Sequence, residues 1–357
     1  MRRTLPLLTL LALLLFGAFL ATPAFAIDFS DPNWEYVDSS VVARCKRLDK
    51  VVPPVADMPT AAQRKELKSC SSEALYYGMG MPTDPVKARL CAFAEDQDSG
   101  REDEMFGGKN VLMMIYANGM GVPQNLDLAQ RYACEAGFAG AEITGRSEHL
   151  ENIRNGDTTG GAFDLCDDIT SGYMQGFCAS HYARMEDTER NARLKSLMAS
   201  WSDEEKQAFE KLHAIFEEFV AARVENEVDL SGTARAAFEI GEESTQRNLF
   251  AAQIAQFESR KWFPAYTERQ FQDADRDLNV RYGKVQRTPK SEWKDGYGPW
   301  GTVTKKGILD TQRAWLKYRE AWVTFGALKY PAVPADAWRT WLTRKRAEML
   351  KEFLPEN

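Results

Sequence analysis

Two stretches of this chain are copies of one pattern, "LYYGMGMPTDPVKARLCAFA" from Leu75 and "IYANGMGVPQNLDLAQRYACEA" from Ile115. At an offset of 41, Gly78-x-Gly80 falls on Gly119-x-Gly121, Pro82 on Pro123 and Ala88 on Ala129. Each copy reads as a helix, a glycine-rich turn and an alanine-rich helix. The glycines permit positive φ where the chain reverses, and the alanines let neighbouring helices approach closely. A chain carrying such a unit twice is committed, over this region, to stacked helical hairpins. The G-x-G spacing is a weak phosphate signal, because no strand precedes it and no P-loop lysine follows.

The remainder is also helical in pattern. Residues 163–260 open with "FDLCDDITSGYMQGFCASHYARMEDTERNARL" and continue into "EEKQAFEKLHAIFEEFVAARVENE", with Ser202 as the expected N-cap and acids in the first turn. From about 261 come "YTERQFQDADRDLNVRY", an interval rich in Gly, Pro and Trp, then "LDTQRAWLKYREAW" and "WRTWLTRKRAEMLKEFL". In the second of these helices, steps of three and four put Trp315, Tyr318 and Trp322 on one face, with Arg319 one turn beyond Trp315. Such a face is a core seam, an aromatic–arginine binding patch, or both in part. The expected fold is all-α, divided into 1–26, 27–160, 161–260 and 261–357.

The first 26 residues have a basic start at Arg2 and Arg3, an apolar run from Leu5 to Leu20 and a small-x-small site at Ala24 and Ala26. We read them as a secretory signal cleaved near Ala26, leaving a soluble periplasmic chain with no stable membrane insertion. Ile27 offers no cysteine for lipid attachment. The six cysteines, Cys45, Cys70, Cys91, Cys134, Cys166 and Cys178, favour disulfides in an exported chain, with about fifteen full pairings open. No metal site is expected, because no C-x-x-C or H-x-x-x-H occurs. All six precede residue 180, so the last module must hold by packing alone.

Charge is unevenly spread. Residues 27–162 carry a formal −7, 163–260 carry −9 and 261–357 carry +7. The acidic centre and basic end either attract one another within the molecule or face different partners, and we favour the first.

Residues 70–150, with their two copies, resemble the Sel-like repeats, helical-hairpin relatives of the tetratricopeptide repeats. The resemblance implies an antiparallel helical array that binds proteins. The last module resembles the lysozyme inhibitor LprI family over roughly 90 residues, in three blocks: Asp275, Leu278, Asn279 and Tyr282; Leu309, Gln312, Trp315, Tyr318 and Arg319; Leu342, Thr343, Arg346 and Leu350. Family members staple this module with cysteines, and here Trp322 and Trp338 stand near where two of them are expected. Indole refilling of a sulfur-stapled core makes the Trp315 face more a core seam than a ligand platform. Asp187, Asn191 and Leu194, with Phe219 and Arg223, suggest a divergent second copy in 161–260. Cys166 and Cys178 resemble the paired cysteines at the start of family members, and that resemblance, with their short spacing, leads us to expect a bond between them. Cys70 and Cys91 are expected to pair around the Gly78–Gly80 turn, leaving Cys45 for Cys134.

Catalytic chemistry has little support. His149, His181 and His213 are dispersed, no nucleophile motif occurs, and Asp167–Asp168 reads as a helix cap rather than an acid/base pair. No enzyme, cofactor or nucleic-acid partner is expected. The resemblance implies a protein that binds and inhibits a lysozyme; the alternative is a Sel-like adaptor gathering envelope proteins. Lysozyme-type glycosidases work through two carboxylates. A plug for them needs hydrogen-bond donors and flat rings, and the interval Val285–Lys306 supplies Trp293, Lys294, Tyr297 and Trp300. The competing reading folds those rings back over the module's own seam. Lysozyme class and oligomeric state stay open.

Overall fold

The repeat recurs in the backbone bond for bond. Helix α3 (Ser72–Tyr77) and helix α5 (Gly108–Asn118) each end on a glycine in the left-handed region, Gly78 at φ +78° and Gly119 at φ +66°. The Gly78 N–H donates to the Ala74 carbonyl, and the Gly119 N–H to the Ile115 carbonyl. The next turn closes identically: Asp84 N–H donates to the Leu75 carbonyl at 2.9 Å, and Asn125 N–H to the Tyr116 carbonyl at 3.0 Å. Asp84 and Asn125 then cap α4 (Pro85–Asp96) and α6 (Leu126–Glu135). Each cap satisfies an orphan amide that the helix itself leaves open. Ala88 and Ala129 are both fully buried, as close helix approach requires.

The computed structural model describes residues 27–97, 105–157, 159–288 and 300–354. Among these, the chain forms thirteen α-helices with short 3₁₀ turns and no β-strand. The repeat region also holds α1 (Ser39–Leu48), α2 (Ala61–Glu66) and α7 (Gly140–Arg154). Their core runs from Ile27 through Met174 and Cys178, so it takes in Phe163 and Leu165 from the acidic segment. Three disulfides staple this core: Cys45–Cys134, Cys70–Cys91 and Cys166–Cys178.

Six long helices form the rest: α8 (Gly172–Leu197), α9 (Asp203–Glu227), α10 (Arg235–Glu258), α11 (Glu268–Arg287), α12 (Lys305–Lys329) and α13 (Ala335–Met349). Helix α8 belongs to both cores, giving Met174 and Cys178 to the first and Leu194 to the second. At 26 residues it is about 39 Å long. The six helices fall into two triplets of similar plan. In the first, α8 and α10 lie side by side in the same direction, with Arg190 donating to Asn248 at 2.6 Å and Gly176 against Ala236. In the second, α11 and α13 pack together, and both run antiparallel to α12. The middle helices join the triplets. α9 and α12 pack antiparallel, Lys329 reaching Glu205 at one end and Thr311 Oγ1 donating to the Ala222 carbonyl towards the other.

This core is aromatic. Trp315, Tyr318 and Trp322 are 2 %, 5 % and 0 % exposed, which makes their face a core seam. Trp322 stacks on Trp338 with ring centroids 5.6 Å apart, and Phe257 meets both edge-on. Gly326 leaves room for the Trp338 indole; a Cβ there would stand 2.5 Å from its Nε1.

Candidate binding site

The three C-terminal sequence blocks meet at Arg319. Asp275, Asn279 and Tyr282 lie on α11, Gln312, Trp315, Tyr318 and Arg319 on α12, and Thr343 and Arg346 on α13. Arg319 stands 3.6 Å from the Asp275 carboxylate and donates to Glu320 at 2.9 Å and to Thr343 Oγ1 at 3.5 Å. Its guanidinium lies over the Trp315 ring at 5.2 Å and Phe271 at 5.5 Å. A planar cation with donors on several edges suits such a junction better than lysine would. Asn279 is exposed and donates to Asp275 at 3.0 Å, while Tyr282 is half-buried against the core.

Arg346 does something different. It is fully buried, donating to Gln312 at 2.9 Å and to Glu227 on α9 at 2.8 Å. The same Glu227 carboxylate accepts from Arg223 at 3.0 Å, and Arg223 also reaches Glu242 and Glu352. Burial pushes the Arg223 guanidinium down, but Glu242 and Glu227 outweigh it and hold its pKa above the ordinary value. Glu227 and Glu242 were not among the residues singled out in the sequence. The acidic centre and basic end are joined by further pairs, Lys329 with Glu205 at 3.1 Å and Lys317 with Glu218 at 3.9 Å.

The aromatic interval springs from the end of the bundle where α9 finishes and α12 begins, opposite the Lys329–Glu205 pair. Its first residues complete α11 and its last begin α12. Gln286 donates to the Lys305 carbonyl at 3.2 Å and Lys305 to the Thr288 carbonyl, so the two stems are clasped. Asp229, just past α9, accepts from Thr302 N–H at 3.0 Å. Trp300 is half-buried, its ring 5.6 Å from that of Phe353. Trp293, Lys294 and Tyr297 lie outside the described residues.

The histidines lie elsewhere. His181 is buried, stacked on Phe106 at 4.1 Å and bonded to Glu73 at 2.6 Å. His149 pairs with Asp168 at 3.0 Å. Asp167 accepts from Asp164 N–H at 2.8 Å, and Ser171 caps α8, so neither aspartate of the pair is the helix cap expected. The one His/Cys/Asp/Glu group within metal-holding reach, among the described residues, is Cys70, Cys91 and Glu95. Its sulfurs are bonded to each other, and Glu95 accepts from the Ser72 and Gly108 amides at 2.9 and 3.0 Å. That is a structural staple. A comparison of the chain with protein-family models, with curated proteins and with solved structures finds no match in any of the three.

Proposed function

We propose that this chain is an exported binding protein that inhibits a lysozyme through its last three helices and the aromatic interval between α11 and α12. The observation that carries the reading is the convergence of the three LprI-like blocks on Arg319, whose contacts reach Asp275, Trp315 and Thr343. Residues scattered over the module's sequence act as one clamp, which is what a shared module requires. Three disulfides fit folding in an oxidising compartment, and no helix among the described residues is long and apolar enough to cross a membrane. The stems of the interval are clasped, Gln286 to the Lys305 carbonyl and Lys305 to the Thr288 carbonyl. On this reading Trp293, Lys294 and Tyr297, which lie in sequence between them, supply the rings and donor that a plug for a two-carboxylate cleft needs.

The test is lysozyme clearing of a cell-wall suspension with and without the purified protein, at low and high salt. Inhibition that weakens with salt supports the reading, because charge steering of a cationic enzyme is screened. Undiminished clearing at every salt concentration overturns it. Changing Trp293→Ser and Tyr297→Ser together should abolish inhibition without changing thermal stability, whereas Trp300→Ser should lower stability through its packing on Phe353. A second reading, an envelope adaptor, is favoured by Tyr173, Phe177 and Tyr182, which are 67 %, 36 % and 46 % exposed on α8. On that reading Tyr173→Ser with Phe177→Ser removes partner binding and leaves clearing untouched.

A further inference from the structure

A cavity of about 220 Å³ lies between α9, α10, α12 and α13. Its wall is a set of buried rings. Phe216 stacks on Phe250 at 4.3 Å, Phe219 stacks on Tyr318 at 5.3 Å, and Trp315 completes the lining. Each of these rings is no more than 5 % exposed, so they form the closely packed floor of a pocket that is partly open to solvent. Leu249, 45 % exposed, stands where the lining reaches solvent.

Three charged side chains border this space, and two are already engaged. Arg346 is committed to Glu227, and Glu348 pairs with Lys351 at 2.6 Å. Lys345 is the exception. Its ammonium forms no ion pair among the described residues and rests over the Trp341 ring at 4.9 Å. Burial holds its pKa below the ordinary lysine value. An aromatic chamber with one uncompensated cation at its edge selects an apolar body ending in an anion. Attraction to that cation is stronger than in water, because the surroundings are poorly polarisable.

We propose that this cavity is a binding site for a small amphiphilic carboxylate, an alkyl or aryl body of about eight carbons with its head on Lys345. The size follows by scale: a dry apolar cavity of about 150 Å³ admits benzene, so this one admits about nine carbon-sized atoms. The site uses none of the aromatic interval, but it shares α12 and α13 with the lysozyme reading, and its test by ligand titration does not depend on inhibition.

Calorimetric titration of the protein with octanoate and with 1-octanol tests it, and far-UV circular dichroism confirms that each variant is folded. Octanoate should bind saturably at one site. Lys345→Gln should weaken octanoate by about tenfold or more, the loss of a charge-assisted contact, while changing 1-octanol by less than about twofold. Lys345→Arg should restore most of the octanoate affinity. Leu249→Trp, at a solvent-facing position, should block both ligands, and Leu249→Phe should weaken both. The proposal is overturned by an absence of saturable octanoate binding at millimolar concentration. It is equally overturned if Lys345→Gln weakens both ligands alike, or if binding is indifferent to the Leu249 variants.

Discussion

At Glu227 one buried carboxylate serves two buried guanidinium groups, Arg223 and Arg346, from different helices. Removing one member of such a set leaves the others charged in a medium that solvates them poorly. Glu227→Ala should therefore cost about 3–5 kcal/mol in urea unfolding. Glu227→Met combined with Arg346→Met should recover a large part of that loss, because no buried charge of the pair is then left uncompensated. If the double variant is less stable than the single, the network stabilises rather than positions. Arg319 has weaker stakes. It is mostly buried, but its partners Asp275 and Glu320 are 43 % and 44 % exposed and stay hydrated when it is gone. Arg319→Ala should cost only about 1 kcal/mol, in the range of a single hydrogen bond with solvated partners. Unchanged unfolding would count against the clamp.

Helix α9 shows what an element can reveal in advance. Its Ser202 cap was legible in "WSDEE", and the structure completes it as a capping box, Ser202 accepting from Glu205 N–H and Glu205 accepting from Ser202 N–H. The 41-residue repeat, its glycine caps and its buried alanines were legible for the same reason, since each rests on bonds within a few residues. The long-range layer was not. Glu227 and Arg346 are 119 residues apart, and nothing near either one marks the other as its partner. Helix α8 was likewise hidden as the element shared by two cores. Its Gly172 tolerates Thr233 at a distance no Cβ allows, a contact that only the fold creates. Glu205 also yields a pH prediction. The Ser202 amide, with the Lys329 ammonium assisting against partial burial, holds its carboxyl below the ordinary 4.5. Its stabilisation is thus fully present above that value and is lost as the pH falls through the lower folded pKa. Glu205→Gln keeps a capping-box side chain but drops the charge. Its melting temperature should fall less steeply than the wild type's between about pH 5 and pH 3. Parallel acid limbs would show that the charge is idle.

Across the whole molecule, two cores share one helix but are stabilised differently. The first, ending at Cys178, holds all three disulfides; the second, from Leu194 onward, holds none and relies on stacked rings and buried ion pairs. Cys45–Cys134 closes the longest loop, a separation of 89 residues, and Cys166–Cys178 one of 12. On the chain-entropy model these bonds contribute about 4–5 and about 3 kcal/mol, so reduction should remove most of the first core's margin. Tryptophan distribution makes the effect separable. Of nine tryptophans only Trp34 precedes residue 200, so tryptophan fluorescence reports on the second core and far-UV circular dichroism on both. With a reductant present, helix content should melt in two steps, the first at a much lower temperature than without it. The fluorescence transition should stay close to its original temperature, because none of its reporters after residue 200 sits in a stapled region. Should the two signals instead fall together on reduction, α8 would be transmitting the loss, and the two cores would unfold as a single cooperative unit.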